Sequence, residues 1–235
     1  MTKTTARVSF GLFALELKED ANLSTISELQ PFSKVDDLET DNVSTRPYAS
    51  YEPNYWLLDG QYKFLPAVYT TIHVGLISLE MSDSAGDFTT APQLTAEFSR
   101  THDIDGLALR FQTYTGDYCS ALTINYYDGS NQLIRSDSYQ PDCTEFSTLQ
   151  PVTGFKKIII TFHSTNRPRR YLRLTGIDFG ELISFEGDAI KIAKTTEQVC
   201  QLSTELPYSE LELELYSQEA QFSILNPAGQ YAALK

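Results

Sequence analysis

Apolar and polar residues alternate in five short stretches between residues 94 and 180. The stretch LTAEFS (94–99) sets Leu94, Ala96 and Phe98 against polar neighbours, and the other four follow the same rule. On one face, these four carry Leu107, Leu109 and Phe111; Leu122, Ile124 and Tyr126; Ile158, Ile160 and Phe162; and Leu172 with Leu174. A period of two is typical of strands with one buried face. The pattern therefore predicts five half-buried strands.

Turn chemistry separates these stretches, and no stretch between them has the period of a helix. Asp128 and Gly129 open a four-residue turn that predicts a hairpin, and Gly176 predicts a bulge in the last strand. Short strands with turns between them indicate an all-β fold, an antiparallel β-sandwich or jelly roll. We place this domain at residues 54–182.

The N-terminal flank, residues 1–53, has a different pattern. Residues 7–18 (RVSFGLFALELK) are compatible with a strand, whereas the remainder is polar and punctuated by proline. Such a segment predicts an extended arm, which either wraps the sandwich or reaches a neighbouring molecule.

The C-terminal flank, residues 183–235, contains one strongly patterned segment, SELELELYS. Leu211, Leu213 and Leu215 alternate with glutamates, which predicts an edge strand with one acidic, solvated face. Pro227 predicts the start of a short helix. One strand and a helical turn are too little for a separate core, so we expect the beginning of a further, incomplete β-rich domain.

The only tryptophan, Trp56, lies in the segment NYWLLDG at the entry to the predicted sandwich. A single tryptophan beside two leucines is typical of a core anchor rather than a ligand contact. We therefore expect Trp56 and Leu58 to be buried and Asp59-Gly60 to form a turn.

The charge of the 235-residue chain, −13 at pH 7, excludes a nucleic-acid partner, because binding to phosphates requires clustered lysine and arginine. The sequence has no apolar run of membrane-spanning length, and its first residues lack the pattern of a signal peptide. We expect no membrane insertion.

Cys119 and Cys143 lie almost symmetrically about the predicted hairpin turn. Two interpretations stay open: a disulfide across the hairpin, or two small buried thiols that stay reduced. With Cys200, the three cysteines are too scattered for a zinc site of the CxxC type.

Catalytic chemistry has no visible residues. His73, His102 and His163 lie in unrelated segments, and neither a GxSxG elbow nor an HExxH helix occurs. We therefore expect the chain not to be an enzyme.

Sugar binding requires an aromatic ring that stacks on the sugar, with polar side chains that reach its hydroxyl groups. Residues of these types on predicted loops are Tyr114, Tyr118, Asp137, Tyr139, Arg167, Arg169 and Arg170. The basic run RPRR is unusual in an acidic chain. It predicts either a sugar contact, or a loop that balances nearby carboxylates or contacts an acidic neighbouring subunit, and we favour the loop over the sugar contact.

The strand order, the early LLDG turn and the closing segment RYLRLTGIDFGE resemble galactose-binding-like jelly rolls of the discoidin type, over residues 54–182. The resemblance implies a structural calcium held by an early Asp-Gly turn and an acidic residue after the last strand. The corresponding residues are Asp59 and Glu181. The Thr-x-Trp that usually follows the turn in that family is replaced by QYKF, which counts against the metal.

A second resemblance covers most of the chain. The segments EPNYWLLDGQYKFLP, PQLTAEFSRTHDIDGLALRF and STELPYSELELELYSQEAQFSILNPAGQYAALK are similar to tail or baseplate proteins of phages and prophages of Firmicutes. This resemblance implies a structural virion protein that assembles in the host cytoplasm, self-associates and contacts other tail proteins. It also implies that the last segment opens a domain similar to the barrel of tail-hub proteins.

Two functions follow from these observations. We favour a tail or baseplate component whose jelly roll makes subunit contacts and presents a glycan-binding surface. The alternative is a carbohydrate-binding adhesin module that recognises glycans of a cell surface, with or without calcium.

Overall fold

The computed structural model describes residues 7–39, 43, 46–57, 59–68, 72–186, 188, 190–197 and 209–216. For residues 7–13, 181–186, 195, 197 and 209–211 it describes the backbone alone. The chain divides into two compact units, Gly11–Leu182 and a second unit of Met1–Phe10 with Ile183–Lys235.

Almost all of the regular secondary structure among the described residues is strand. The strands are β1 (Arg7–Phe13), β2 (Asn22–Ser24), β3 (Leu76–Met81), β4 (Gln93–Ile104), β5 (Leu107–Phe111), β6 (Cys119–Tyr127), β7 (Leu133–Tyr139), β8 (Glu145–Ser147), β9 (Val152–Thr165), β10 (Tyr171–Glu186), β11 (Ile190–Glu197) and β12 (Ser209–Leu215). A short helix, α1 (Leu15–Asp20), and a 3-10 helix at Val35–Glu39 complete the described elements.

The first large sheet has the strand order β2-β4-β9-β6-β7, and its neighbouring strands are antiparallel. Its register brings Leu94, Ile160 and Ile124 into one row across three strands. All three side chains are buried, as the alternation of the sequence predicts. The turn at Asp128 connects β6 to β7, so the predicted hairpin is confirmed.

The second large sheet has the order β1-β10-β5-β8, with β3 also paired to β10. Aromatic side chains of the two sheets meet edge to face: Phe98 with Phe179 at 5.4 Å, and Phe111 with Phe162 at 6.4 Å between ring centres. The two sheets therefore enclose one core. The predicted fold class, an all-β antiparallel sandwich, is confirmed.

Two glycines fit the second sheet closely. The pairing of β10 with β5 shifts register between Leu174 and Gly176, which confirms the predicted bulge. Gly75 precedes β3 with a φ of +77°, and a Cβ there would lie 2.2 Å from the carbonyl oxygen of Leu174. A side chain at position 75 is therefore incompatible with this backbone path.

The predicted strand over residues 7–18 is wrong in its second half. Strand β1 ends at Phe13, and α1 begins at Leu15 after the Ala14 N–H donates to the Phe179 carbonyl oxygen at 2.8 Å. The helical turn inserts Leu17 into the core between exposed or half-buried neighbours. Burial of this leucine outweighs the alternation that suggested a continuous strand.

The predicted arm packs on the sandwich where the structure describes it. Leu23 of β2 and Leu38 of the 3-10 helix are buried in the same core as the strands of both sheets. Of the two interpretations of this segment, wrapping of the sandwich is the one that these residues follow.

Trp56 is not the buried anchor that the sequence suggested. Its indole is half-buried, donates from Nε1 to the Ser50 carbonyl oxygen at 2.6 Å, and meets the exposed ring of Phe64. The buried aromatic of this segment is Tyr55, whereas Leu58 lies outside the described residues. The indole N–H, which needs an acceptor, is satisfied at the edge of the loop rather than in the core.

The two cysteines of the hairpin region are not joined. Cys119 is a free, buried thiol whose Sγ donates to the Ala121 carbonyl oxygen, while Cys143 Sγ donates to the Glu145 carbonyl oxygen. Cys119 lies opposite Thr165 of β9, whereas Cys143 precedes β8 in the other sheet. The disulfide is therefore absent because the chain leaves the hairpin sheet before it reaches Cys143. Cys200 lies outside the described residues.

The second unit contains an antiparallel pair, β11 with β12. The predicted strand SELELELYS is confirmed, with Glu212 and Glu214 exposed and Leu213 and Leu215 half-buried. The helix predicted at Pro227 lies outside the described residues. No helix in the described part of the chain has the length and apolar composition needed to cross a membrane.

Candidate functional site

Residues 46–65 form a loop that closes on itself beside the second sheet. The Ala49 N–H donates to the Lys63 carbonyl oxygen at 2.8 Å, and the Lys63 N–H donates to the Pro47 carbonyl oxygen at 3.2 Å. The Tyr62 hydroxyl donates to the Tyr55 carbonyl oxygen at 2.8 Å. These bonds hold the two arms of the loop together without a regular strand.

A buried ion pair fixes this loop to β10. Arg173 donates from Nη1 to Glu52 Oε1 at 2.7 Å and from Nη2 to Oε2, and both side chains are almost completely enclosed. The Tyr171 N–H also donates to Glu52 Oε1, at 2.8 Å. A guanidinium and a carboxylate held by two parallel bonds form a geometrically specific contact.

The environment of Arg173 keeps its charge in place. Burial lowers its pKa, but the hydrogen bond to Glu52 and the electrostatic attraction of Tyr55, Glu52 and Asp117 together outweigh burial, and the pKa lies above its usual value. The guanidinium carbon lies 4.3 Å from the ring centre of Tyr55 and 5.6 Å from that of Tyr171. Cation–π contacts with these rings add to the attraction.

A pocket of about 90 Å³ opens beside this ion pair, and we call it the Tyr–Arg pocket. Aromatic, aliphatic and polar side chains line it: Gln30, Phe32, Arg46, Pro47, Tyr48, Ala49, Ser50, Tyr51, Leu65, Val74, Ile77, Gln112, Tyr171 and Arg173. On this measure one water requires about 10–15 Å³, so the pocket holds several waters or a small ring that displaces them.

Apolar packing fixes one side of the Tyr–Arg pocket. Ile72, Val74 and Ile77 form a buried cluster, and Phe32, Tyr48 and Tyr171 pack against it. Tyr51 differs from the other tyrosines because it is 96% exposed and lies at the rim. The pocket therefore has rigid aromatic walls and one aromatic side chain that is free to meet a ligand.

Hydrogen bonds to neighbouring backbone groups hold two polar side chains of the pocket in place. Gln112 is buried, and its Oε1 accepts the N–H of Tyr114 at 3.2 Å, which leaves its amide nitrogen as a donor. Gln30 donates from Nε2 to the carbonyl oxygens of Ser78 and Leu79. Aromatic faces beside the buried amide of Gln112 can stack on an apolar ring face while the amide hydrogen-bonds a substituent of the ring.

Three of the seven side chains that the sequence suggested for sugar binding lie in a neighbouring loop cluster around Asp117. Arg167 Nη1 lies 3.4 Å and Arg170 Nε 3.8 Å from Asp117 Oδ1, and Arg170 also donates to the Pro53 carbonyl oxygen. Tyr114 packs edge to face on Tyr62 and donates to Gln61. The arginines thus balance a buried carboxylate, which agrees with the interpretation that we favoured for the RPRR run.

The other four suggested residues do not join this cluster. Arg169 occupies a left-handed turn with a φ of 56° and is exposed, and Tyr118 packs partly against the core. Asp137 and Tyr139 lie on β7 opposite Ile124 and Leu122. There, Asp137 pairs with Arg135, and the ring of Tyr139 lies 5.5 Å from that of Phe146. These two side chains point inward because alternation on β7 places them on the core face.

The calcium interpretation stays a prediction. Asp59 is exposed, and its Oδ1 accepts the N–H of Gln61 at 3.0 Å, so the predicted turn is confirmed. The side chain of Glu181 lies outside the described residues. Within the described part of the chain, no three acidic, histidine or cysteine side chains gather in a metal-binding group.

The three histidines have separate partners. His73 Nδ1 lies 2.8 Å from Asp37, His102 Nε2 lies 2.8 Å from Asp20, and His163 Nε2 lies 2.9 Å from Thr123. None of these partners is shared, so the described histidines do not form a nucleophile–base–carboxylate series.

Sequence reasoning missed the Tyr–Arg pocket, although one signal was visible. In RYLRL, Arg173 lies between two core leucines of a predicted strand, and a charged residue at such a place requires a buried partner. The partner, Glu52, lies 121 residues away, in a segment predicted to be irregular. No local pattern connects the two.

No protein-family model matches this chain, and a search of curated proteins found no match. Among solved structures, the chain is similar to a fucose binding module, SpX-3, of Streptococcus pneumoniae, with 13% identity and a TM-score of 0.42 over 68% of this chain and 92% of that one. It is also similar to the lectin domain of lectinolysin in complex with the Lewis B antigen, with 9% identity and a TM-score of 0.43 over 69% and 94%.

A third similar structure is the family 32 carbohydrate-binding module of NanJ from C. perfringens in complex with galactose. Its identity is 7% and its TM-score 0.42, over 75% of this chain and 100% of that one. Similarities at this level establish neither a family nor a ligand for this chain.

Proposed function

We propose that the chain binds a saccharide in the Tyr–Arg pocket and does not change it chemically. The observation that carries this proposal is the convergence of tyrosine rings with buried polar donors at one place. Tyr48 and Tyr171 pack against a buried apolar cluster, Tyr51 is exposed at the rim, and the buried Gln112 also lines the pocket. This combination suits a ring with one apolar face and several hydroxyl groups.

The fixed geometry of the pocket supports the same function. The Glu52–Arg173 pair holds the loop that carries Tyr48 and Tyr51 against β10 before any ligand arrives. A site that is already ordered loses less conformational entropy on binding. The loop cluster around Asp117 contributes to this order through the bond from Arg170 to the Pro53 carbonyl oxygen.

A glycan array probed with the full chain tests the proposal, with calcium and with a chelator in parallel. The wild type is expected to bind a chemically related subset of glycans. Tyr51→Ala, which removes an exposed ring at the rim, is expected to weaken that binding about tenfold while the fold is retained. Absence of signal on the array under both conditions would overturn the proposal.

A role in a phage tail or baseplate is the second candidate. The resemblance of the ELELELYS segment and its neighbouring segments to phage tail proteins favours it. The strand of that segment, β12, pairs with β11. Light scattering over a concentration series tests this role. A discrete ring-sized or trimeric assembly supports it, and a monomer at all concentrations contradicts it.

A further inference from the structure

The rings of Trp56 and Phe64 form an aromatic pair at the surface of the loop of residues 46–65. Their ring centres lie 5.9 Å apart, with an angle of 86° between the planes. Of the phenylalanines whose side chains the structure describes, only Phe64 is exposed, with 66% of its surface accessible. This ring adds little to the core, and most of its surface faces solvent.

The aromatic pair borders the Tyr–Arg pocket without belonging to its lining. The Trp56 Nε1–H donates to the carbonyl oxygen of Ser50, a lining residue, at 2.6 Å. Phe64 directly precedes Leu65, which lines the pocket and is 39% exposed. Both rings are therefore attached to the edge of the pocket through residues that form it.

The size of the Tyr–Arg pocket limits what it encloses. A volume of about 90 Å³ corresponds to several waters or one small ring. Any further ring of a bound oligosaccharide lies outside the pocket and requires a surface of its own. An exposed aromatic ring beside the pocket suits the apolar face of such a ring.

We propose, on the basis of the proposed function, that the ligand is an oligosaccharide of at least two rings, and that the Trp56–Phe64 pair binds the second ring by stacking. Neither side chain recognises a hydroxyl group, because Phe64 has no polar atom and the indole N–H is bound to Ser50. The pair therefore contributes affinity and prefers a ring with an apolar face. Gln112, inside the pocket, hydrogen-bonds the first ring.

Titration calorimetry with the full chain tests this inference. It compares the best disaccharide unit from the glycan array with the methyl glycoside of the sugar that fills the pocket. We expect the wild type to bind the disaccharide about tenfold more tightly than the methyl glycoside. Phe64→Ala is expected to reduce this ratio to about two or less, and Phe64→Tyr, which keeps the ring, is expected to preserve it.

Tryptophan fluorescence provides a second measurement on the unaltered protein. Trp56 is the only tryptophan of the chain, so its emission reports this site alone. The second ring of the disaccharide excludes water from the indole and is expected to shift the emission to shorter wavelengths. The methyl glycoside, which lies within the pocket, is expected to produce a much smaller shift.

The matched control is Leu133→Ala, which removes an exposed apolar side chain from β7 in the other sheet. It is expected to leave the affinity ratio at the wild-type value. Equal affinities for the two probes in the wild type, or a ratio that survives in Phe64→Ala, would overturn this inference while the proposed function stands. Failure of every probe and of the whole glycan array would overturn both.

Light scattering of Phe64→Ala identifies a competing occupant, a second copy of the chain. We expect the mass of this variant to equal that of the wild type. A wild-type oligomer that becomes a monomer in Phe64→Ala, with the affinity ratio unchanged, would assign the aromatic pair to contacts between copies and overturn the inference.

Discussion

The guanidinium of Arg173 and the carboxylate of Glu52 form a two-pronged ion pair inside the protein, across 121 residues of sequence. The pair joins the loop of residues 46–65 to β10, and its arginine lines the Tyr–Arg pocket. Loss of this contact is therefore expected both to release the loop that carries the pocket residues and to lower the stability of the fold.

Glu52→Gln tests this coupling. The substitution leaves a buried guanidinium without its counter-charge, so the free energy of unfolding is expected to fall by about 3–5 kcal/mol. Urea unfolding followed by fluorescence measures the change. Glu16→Gln is the control, because the pair of Glu16 with Arg100 is exposed and contributes at most about 1 kcal/mol. Equal losses in the two variants would contradict a structural role for the buried pair.

Gly75→Ala is expected to destabilise the protein strongly. The new Cβ would lie 2.2 Å from the Leu174 carbonyl oxygen, and the φ of +77° adds backbone strain, for a combined cost of roughly 2–5 kcal/mol. Gly154→Ala has a similar φ of +70° but open space around the Cβ, so only the strain of about 1–2 kcal/mol remains. A thermal unfolding series that ranks the two variants in the opposite order would contradict the packing of Gly75 on β10.

Asp20 is expected to make stability depend on acid pH. Hydrogen bonds from Ser99 and from His102 lower its pKa from 3.8 to about 2. Because the folded-state pKa is the lower one, this stabilisation is complete above about pH 4 and is lost as the pH falls towards 2. Urea midpoints at several values between pH 4 and pH 2 should fall less steeply in Asp20→Asn than in the wild type. Parallel curves for the two proteins would show that the Asp20 contact has no effect on folding.

The hydroxyl of Tyr126 is buried and has no hydrogen-bond partner among the described residues. Tyr126→Phe is therefore expected to leave the free energy of unfolding unchanged or to raise it by about 1 kcal/mol. Tyr62→Phe removes a hydroxyl that donates to the Tyr55 carbonyl oxygen, and should lower stability by about 0.5–1.5 kcal/mol. A clear loss of stability in Tyr126→Phe would reveal a partner for this hydroxyl.

The strands of the sandwich could be predicted because their alternation is local. Leu94, Ile124 and Ile160 each lie in a period-two pattern, and each is buried. Helix α1 could not be predicted in this way, because Leu17 reaches the core only once other strands provide the surface on which it packs.

The site was harder to predict than the fold. Tyr114, Arg167 and Arg170 were suggested by residue type, and the structure does gather them, but around Asp117 rather than around an open pocket. The pocket itself depends on Tyr51 and Tyr171, and the hydrogen bonds of Glu52 to Arg173 and to the Tyr171 N–H hold the loop of Tyr51 against β10. The pocket could not be predicted because the residues that form it are far apart in the sequence, although their chemistry is ordinary.

Titration calorimetry of the wild type, Tyr51→Ala and Tyr114→Ala with the best saccharide from the array decides whether the Tyr–Arg pocket is the binding site. Both tyrosines are exposed, but only Tyr51 lines the Tyr–Arg pocket, whereas Tyr114 belongs to the loop cluster. We predict about a tenfold loss of affinity in Tyr51→Ala and wild-type affinity in Tyr114→Ala. Loss of binding in Tyr114→Ala with full binding in Tyr51→Ala would contradict it and move the site to the loops around Asp117.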